Sequence, residues 1–307
     1  MSLLIADIGG TNTRCALAGP DGPVQQQHFR NQDFPSAAAL LDHYLGNLAA
    51  ADRPQAAALA VAAPVRNDTV QMTNLHWSIN AGELRDALGL HTLTLLNDFE
   101  ALACALPVLD DTQVRQIGTG QPDPAGTKIV IGPGTGLGMS ALVREADGWR
   151  ALAGEGGHAS LAANSAQEAA IINKARERYG HCSIERLVSG PGLSLIHELL
   201  HGGEPLPPEQ LGELISSGDP SVCASFALFC DLLGTAAADA ALMLGAFGGV
   251  YIGGGIAPRH EERFCSSGFR RRFTTKGRYA DYLNTIPTYL ILAPNPTLIG
   301  LWTLAAT

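Results

Sequence analysis

Positive charge is scarce in this chain of 307 residues: 20 Lys and Arg stand against 29 Asp and Glu, a formal net charge of -9. The summed field repels phosphate backbones, so DNA and RNA are not expected partners. Charge of either sign is sparse, at 16%, while 46% of residues are apolar. That balance excludes a disordered chain, and the length suits about two domains. Cysteine never pairs in pattern. Cys15, Cys104, Cys182, Cys223, Cys230 and Cys265 stand singly with no CxxC, as expected of reduced thiols in a cytoplasmic protein. The opening MSLLIAD lacks a basic segment and reads as a first strand rather than a secretory signal. One stretch, Ala240 to Pro258, has no charge at all. Its glycines argue against a membrane span, and AALMLGAF reads as a helix end followed by a buried strand, GVYIGGG. No partnership with a membrane is expected. The one dense basic segment, GFRRRFTTKGR (Arg270, Arg271, Arg272, Lys276, Arg278), reads as a solvated edge.

Strand and helix patterns alternate along the chain, which indicates an α/β architecture. LLIADIGG, TNTRCALAG and VQQQHFR read as a meander of strands, followed by an alanine-rich helix near Ser36 to Ala51 and the strands QAAALAVAAP and LTLLNDF. A helix is expected from about Phe99 to Ala105. From Lys128 the order recurs: KIVIGPGTG, GLGMSALVREADG and WRALAGE, with DG turns closing the second hairpin of each half. Two halves of one topology are therefore expected, facing each other across a cleft, with a crossover near Pro107 to Asp110. Helices are expected over Ala166 to Tyr179, Gly192 to His201 and Ser221 to Leu244, and a short helix at the end.

Asp7, Gly9, Gly10, Thr11 and Asn12 close the first strand, a turn whose amides and hydroxyl suit phosphate oxygens. Gly134 and Thr135, within GPGTGLG, repeat that chemistry in the second half. Neither turn is the GxxxxGK or GxGxxG nucleotide fingerprint. Asn97-Asp98 ends a strand and opens a helix, where ligands of α/β sheets gather. As a helix N-cap, Asp98 needs no further role. Glu155 and His158, in GEGGH, offer an acceptor and a donor to a polar ligand. His197-Glu198-Leu199-Leu200-His201 satisfies HExxH, which suggests a zinc protease, but Gly202-Gly203 end the helix at once and no HxxGxxH extension follows.

Together these segments resemble the bacterial glucokinase family of the non-zinc type, within the hexokinase and actin-like ATPase superfamily. The resemblance runs in order through ADIGGTNTR, MTNLHW, LLNDFEALA, GPGTGLG, GEGGH, GHCSIERLVSGPGL, LGAFGGVYIGGGIAPR, SGFRRRF with KGR, and YLI followed by NPTLIG. It implies a two-domain actin-like (ribonuclease H-like) fold with a sugar and nucleotide cleft between a small domain, residues 1–108 plus about 296–307, and a large one, 109–295. It implies transfer of the ATP γ-phosphate to the 6-hydroxyl of glucose, with another hexose or an aminosugar as the alternative substrate. Asp98 would be the catalytic base, and Asn97, Glu155, His158 and Glu185 would hold other hydroxyls. Gly9 to Asn12 and Gly134-Thr135 would embrace the phosphates, and Gly253, Gly254 and Gly255 would admit the adenosine. Asp7 would position Mg²⁺ through water. A cytoplasmic homodimer is the family expectation. Two departures stand out: Ala6 replaces a frequent glycine, and Pro133 brings no amide to the second turn. Zinc-containing relatives carry clustered cysteines after a GH dipeptide, and no such cluster follows Gly157-His158 or Gly180-His181.

Overall fold

The computed structural model describes residues 3–72 and 75–306. Thr73 and Asn74 of the MTNLHW segment lie outside the described residues. The chain forms two compact units, Met1–Leu109 with Pro294–Thr307, and Asp110–Ala293.

The first unit is built on β1 (Leu3–Ile8), β2 (Asn12–Ala18), β3 (Pro23–Arg30), β4 (Ala56–Val61) and, after the small hairpin β5 (Thr69–Gln71) and β6 (Ser78–Asn80), β7 (Thr92–Asn97). The sheet order is β3-β2-β1-β4-β7. β1 runs antiparallel to β2 and parallel to β4, and β4 runs parallel to β7. Because strand side chains alternate, Leu4, Ala6 and Ile8 enter one core with Leu40, Leu41 and Tyr44 of helix α1 (Ala37–Gly46) and Leu84 of α2 (Ala81–Ala87). Helix α1 is shorter than expected from sequence: Ser36 is its N-cap, and the chain leaves it after Gly46. Ile5 faces the opposite core, with Ala58, Ala60, Ala101 of α3 (Asp98–Ala105), and Leu298 and Leu301 of the C-terminal helix Pro296–Thr303. Asp7 shares that second face by the same alternation. Small residues let the two helices approach closely there: a Cβ on Gly300 would sit 1.7 Å from the Ala101 carbonyl oxygen.

The second unit repeats the strand order. β8 (Val114–Ile117), β9 (Lys128–Pro133), β10 (Leu137–Glu145), β11 (Gly148–Leu152), β12 (Gly249–Ile252) and β13 (Thr288–Ile291) form a sheet ordered β11-β10-β9-β12-β13-β8. β9, β12 and β13 are parallel, as β1, β4 and β7 are in the first unit. Between β11 and β12 the chain forms α4 (Ala166–Tyr179), α5 (Ile184–Leu187), α6 (Gly190–His201), α7 (Pro208–Ser217) and α8 (Pro220–Leu244). Between β12 and β13 come α9 (Ile256–Arg259), α10 (Glu261–Cys265), α11 (Phe269–Thr274) and α12 (Ala280–Thr285). Helix α8 is long and apolar enough to span a membrane, yet 67% of its most apolar window is buried in the unit. Its left-handed cap Gly245 stops it before β12, which accounts for the uncharged run as helix, turn and strand.

The basic segment is not a solvated edge. Arg270 donates to the carbonyls of Ile286 (2.8 Å), Thr119 (2.9 Å) and Asn284 (3.2 Å). Arg272 pairs with the buried Glu168 of α4 and with Asp231 of α8, Arg271 pairs with Asp231, and Lys276 pairs with Asp239. Arg270 and Arg278 form no ion pair with an acid among the described residues, and Arg278 lies over the Tyr279 ring. Arg271, Arg272 and Lys276 tie α11 and the turn after it to the acids of α8 and α4.

Candidate functional site

The residues singled out by sequence fall into two groups, one in each unit. In the first unit, the β1–β2 turn is closed by Gly9 N–H donating to the Asn12 carbonyl (2.9 Å). The Gly9 carbonyl accepts from Asn31 Nδ2 (2.8 Å) and the Thr11 carbonyl from Asn31 N–H (2.9 Å). The N–H groups of Gly10 and Thr11 and the exposed Thr11 hydroxyl have no acceptor among the described residues. Donors thus face outward while carbonyls are held inward, the arrangement that receives an anion.

Asp7 lies opposite Arg14 across β1 and β2, with Arg14 Nη1 3.4 Å from its Oδ2. Burial raises the Asp7 carboxyl above its ordinary range, against the opposing pull of Arg14. Asp98 begins α3 at the end of β7, but it is not the cap. Asn97 caps the helix: its Oδ1 accepts from Phe99 N–H (2.9 Å), and Glu100 Oε2 accepts from Asn97 N–H (3.1 Å), completing a capping box. Capping therefore does not explain Asp98. Its Oδ1 accepts from Phe99 N–H (3.1 Å), and its own N–H and the Asn97 side-chain amide also favour the ionised carboxylate. Burial, and next the charge of Asp7, push the Asp98 carboxyl up to about 7, although helix amides pull it down.

In the second unit, Glu185 stands in the first turn of α5, where Leu137 N–H donates to its Oε2 (2.8 Å). That approach requires glycine at 136, since a Cβ there would lie 2.6 Å from the same oxygen. His158 Nδ1 is 4.0 Å from Glu185 Oε1, and its Nε2 is 3.9 Å from Glu155 Oε2. The loop carrying Glu155 and His158 is fixed to the start of α5 by Ile184 N–H donating to the Ala159 carbonyl (2.9 Å), and to β10 by close approach of Gly157 to the Leu137 carbonyl. Two carboxylates and an imidazole, all at least partly exposed, thus converge as acceptors and donors for a polyhydroxyl ligand.

The second glycine turn lies beside them. Gly134 N–H donates to the Gly136 carbonyl (2.8 Å), the Gly134 carbonyl accepts from Gly190 N–H at the start of α6 (2.8 Å), and Thr135 is exposed. Pro133 has no N–H, but its carbonyl accepts from Gly255 N–H (3.2 Å). Gly134, Thr135, Gly190, Pro191, Gly255 and Ile256 line part of a cavity of about 370 Å³. Of the glycines at 253–255, only Gly255 lines it. Gly253 donates to the Ile131 carbonyl, and Gly254, at φ +74°, packs where a Cβ would meet the Pro133 carbonyl at 2.3 Å.

Sequence reasoning missed the cavity walls contributed by Leu193, Pro208, Glu209, Ile215, Arg259 and His260. They come from α6, α7 and the α9 region, and only GPGL and IAPR carried a hint of them. It also missed Asn31, whose distance in sequence from the turn hides it. HELLH is structural here: Glu198 pairs with Arg178 and His197 Nδ1 lies 3.0 Å from Ser225 Oγ, with the buried imidazole pushed below its usual range. Among the described residues no group of three or more His, Cys, Asp or Glu side chains is disposed to hold a metal ion.

The glucokinase family model matches residues 4–307. The glucokinase of Chromobacterium violaceum is 48% identical over 304 residues, covering 97% of this chain and 87% of that protein. That of Nitrobacter hamburgensis is 43% identical, covering 97% and 95%. The crystal structure of a glucokinase from an Antarctic psychrotroph superposes with a TM-score of 0.90 at 37% identity, over 100% of this chain and 99% of that one. The fold is the actin-like ATPase fold of sugar kinases. With its two glycine turns, its near-neutral Asp98 and matches along almost its whole length, this chain belongs to the glucokinase family.

Proposed function

We propose that this chain phosphorylates D-glucose at the 6-hydroxyl with ATP, giving glucose 6-phosphate and ADP. The observation that carries the reading is Asp98: a buried carboxyl at the end of β7, held near neutrality where the capping role belongs to Asn97. In its ionised form Asp98 takes the proton of the 6-hydroxyl as that oxygen attacks the γ-phosphorus and the bond to the β-phosphate oxygen breaks. Glu155, His158 and Glu185 hold other hydroxyls, and so does the Asn97 side-chain amide, which is 3.4 Å from the Ala63 carbonyl. The amides of Gly10, Thr11 and Thr135 meet phosphate oxygens, and the cavity between α6, α7 and α9 receives the adenosine against Gly255.

Mg²⁺ fits the donor set of the first unit, because Asp7 is a partly buried carboxylate opposed only by an Arg14 contact of 3.4 Å. One carboxylate with water and phosphate oxygens is the usual set for this ion, which when bound neutralises phosphate charge. We read the protein as cytoplasmic and homodimeric. Exposed Met243, Phe247 and Tyr279 near the end of α8 support self-association, and light scattering on the eluting protein tests it.

The deciding experiment is coupled ADP release with MgATP across glucose, mannose, fructose, galactose and N-acetylglucosamine, for wild type and Asp98→Asn. Turnover of glucose with a loss of about 10²-fold or more in the variant supports the reading. Preference for another sugar moves the substrate to the alternative class. Absence of ADP release with every sugar overturns the kinase reading.

A further inference from the structure

We propose that Asn31 is the positioning residue of the first phosphate turn, aiming the Gly10 amide at the nucleotide. This rests on the phosphate-binding reading of residues 9–12. Asn31 follows β3 and is 1% exposed. The Gly9 carbonyl can only accept, so the group 2.8 Å from it is the Asn31 NH₂, which leaves Oδ1 to accept from the Thr13 hydroxyl at 2.7 Å. Asn31 N–H donates to the Thr11 carbonyl, and the Asn31 carbonyl accepts from Phe34 N–H at 3.1 Å. One buried residue therefore holds both carbonyls that flank the exposed part of the turn.

The consequence follows from peptide geometry. In a planar trans peptide the C=O and the next N–H point in opposite directions. Fixing the Gly9 carbonyl inward on Asn31 fixes Gly10 N–H outward. Two successive glycines leave this backbone otherwise free to rotate, so without the Asn31 amide the donor would have to be ordered at each nucleotide binding event. The second unit makes the comparison internal. There the Gly134 carbonyl is held by the backbone N–H of Gly190, so the equivalent restraint needs no side chain. Only the first turn depends on a single side-chain amide.

The test uses the full chain. Asn31→Asp replaces the donor to Gly9 with an acceptor. Thr13→Val removes the hydroxyl that orients the amide at nearly constant volume, and Thr13→Ser keeps it. A raised KM for MgATP is expected, about tenfold or more in Asn31→Asp and severalfold in Thr13→Val. KM for glucose stays within twofold, and Thr13→Ser recovers the MgATP value. A purely structural role would instead lower the thermal midpoint and the active fraction while leaving KM for MgATP unchanged. Wild-type KM for MgATP in folded Thr13→Val or Asn31→Asp overturns the proposal. If Asn31→Asp does not fold, the two Thr13 variants decide. If the wild type turns over no sugar, the kinase reading fails separately, and calorimetric titration with MgADP decides for Asn31. Weakened binding in the variants supports it, while equal affinity, or no binding by the wild type, overturns it.

Discussion

The Asp98 carboxyl sits under two opposed influences. The first turn of α3 offers amides that favour its ionised form, whereas burial and the Asp7 charge disfavour it, and the second pair prevails, raising it to about 7. A base must be ionised to act, so kcat/KM is expected to rise with pH through about 7 and then level, a limb absent from the residual activity of Asp98→Asn; a flat profile from pH 6 to 8 in wild type would contradict the assignment. The same shift affects stability. Its folded-state value lies above the ordinary 3.8, so the folded chain binds more protons than the unfolded one between about 4 and 7. Wild type therefore loses stability from this group as pH rises across that window. Asp98→Asn escapes the penalty. Its thermal midpoint is expected to exceed that of wild type at pH 8, with the gap shrinking as pH falls toward 5.

Among elements, the pairing of α3 with the C-terminal helix fixes where Asp98 starts. Gly300 allows it, because a methyl group there would meet the Ala101 carbonyl oxygen at 1.7 Å. Gly300→Ala is expected to cost about 1–3 kcal/mol or more and to lower kcat by shifting α3; a variant with wild-type thermal midpoint and kcat would show that the pair yields without consequence. The contacts between α11, α4 and α8 are of another kind. Arg272 is 12% exposed at its side chain and Glu168 1%. Removing one charge strands the other, so Arg272→Met is expected to lose roughly 3–5 kcal/mol in denaturant unfolding, with part recovered in the double variant Arg272→Met, Glu168→Gln. Non-additivity of the two substitutions is the measurement that checks it.

These elements also show what a sequence discloses. Strands β1, β2, β4, β7, β9, β10 and β12 were legible because alternation and glycine turns are local signals. The capping of α3 was half legible: N-D at a strand end marks a helix start, but which of the two is the cap depends on backbone angles that spacing does not carry. Helices α9 to α12 and the β5–β6 hairpin were not legible, being too short to show a period. The basic segment misled because its partners, Glu168, Asp231 and Asp239, lie far away in sequence. Asn31 was invisible for the same reason. Glu155 and His158 were visible in their glycine loop, whereas Glu185 was named only through family resemblance, and its bond to Leu137 N–H needed the fold.

For the whole molecule, the repeated strand order explains how two glycine turns arise at matching places, after β1 and after β9. Each unit has its own hydrophobic core. The units differ in continuity, since residues 110–293 form one unbroken stretch while the other unit is assembled from both ends of the chain. A chain truncated after Ala293 is therefore expected to keep a cooperative unfolding transition from the continuous unit and to lose sugar-dependent ADP release; retained activity would contradict the role given to the C-terminal helix.

That discontinuity bears on biosynthesis. A ribosome delivers residues in order, and the helix that carries Asp98 waits for Leu298, Gly300 and Leu301, which follow the whole of the continuous unit. The continuous unit can fold while translation proceeds, but Asp98, the proposed general base, acquires its backing only after that unit has been made. A nascent chain stopped before Pro294 would thus hold one finished unit and one unfinished, and the proposed phosphoryl transfer would begin only once residues 296–303 had been made.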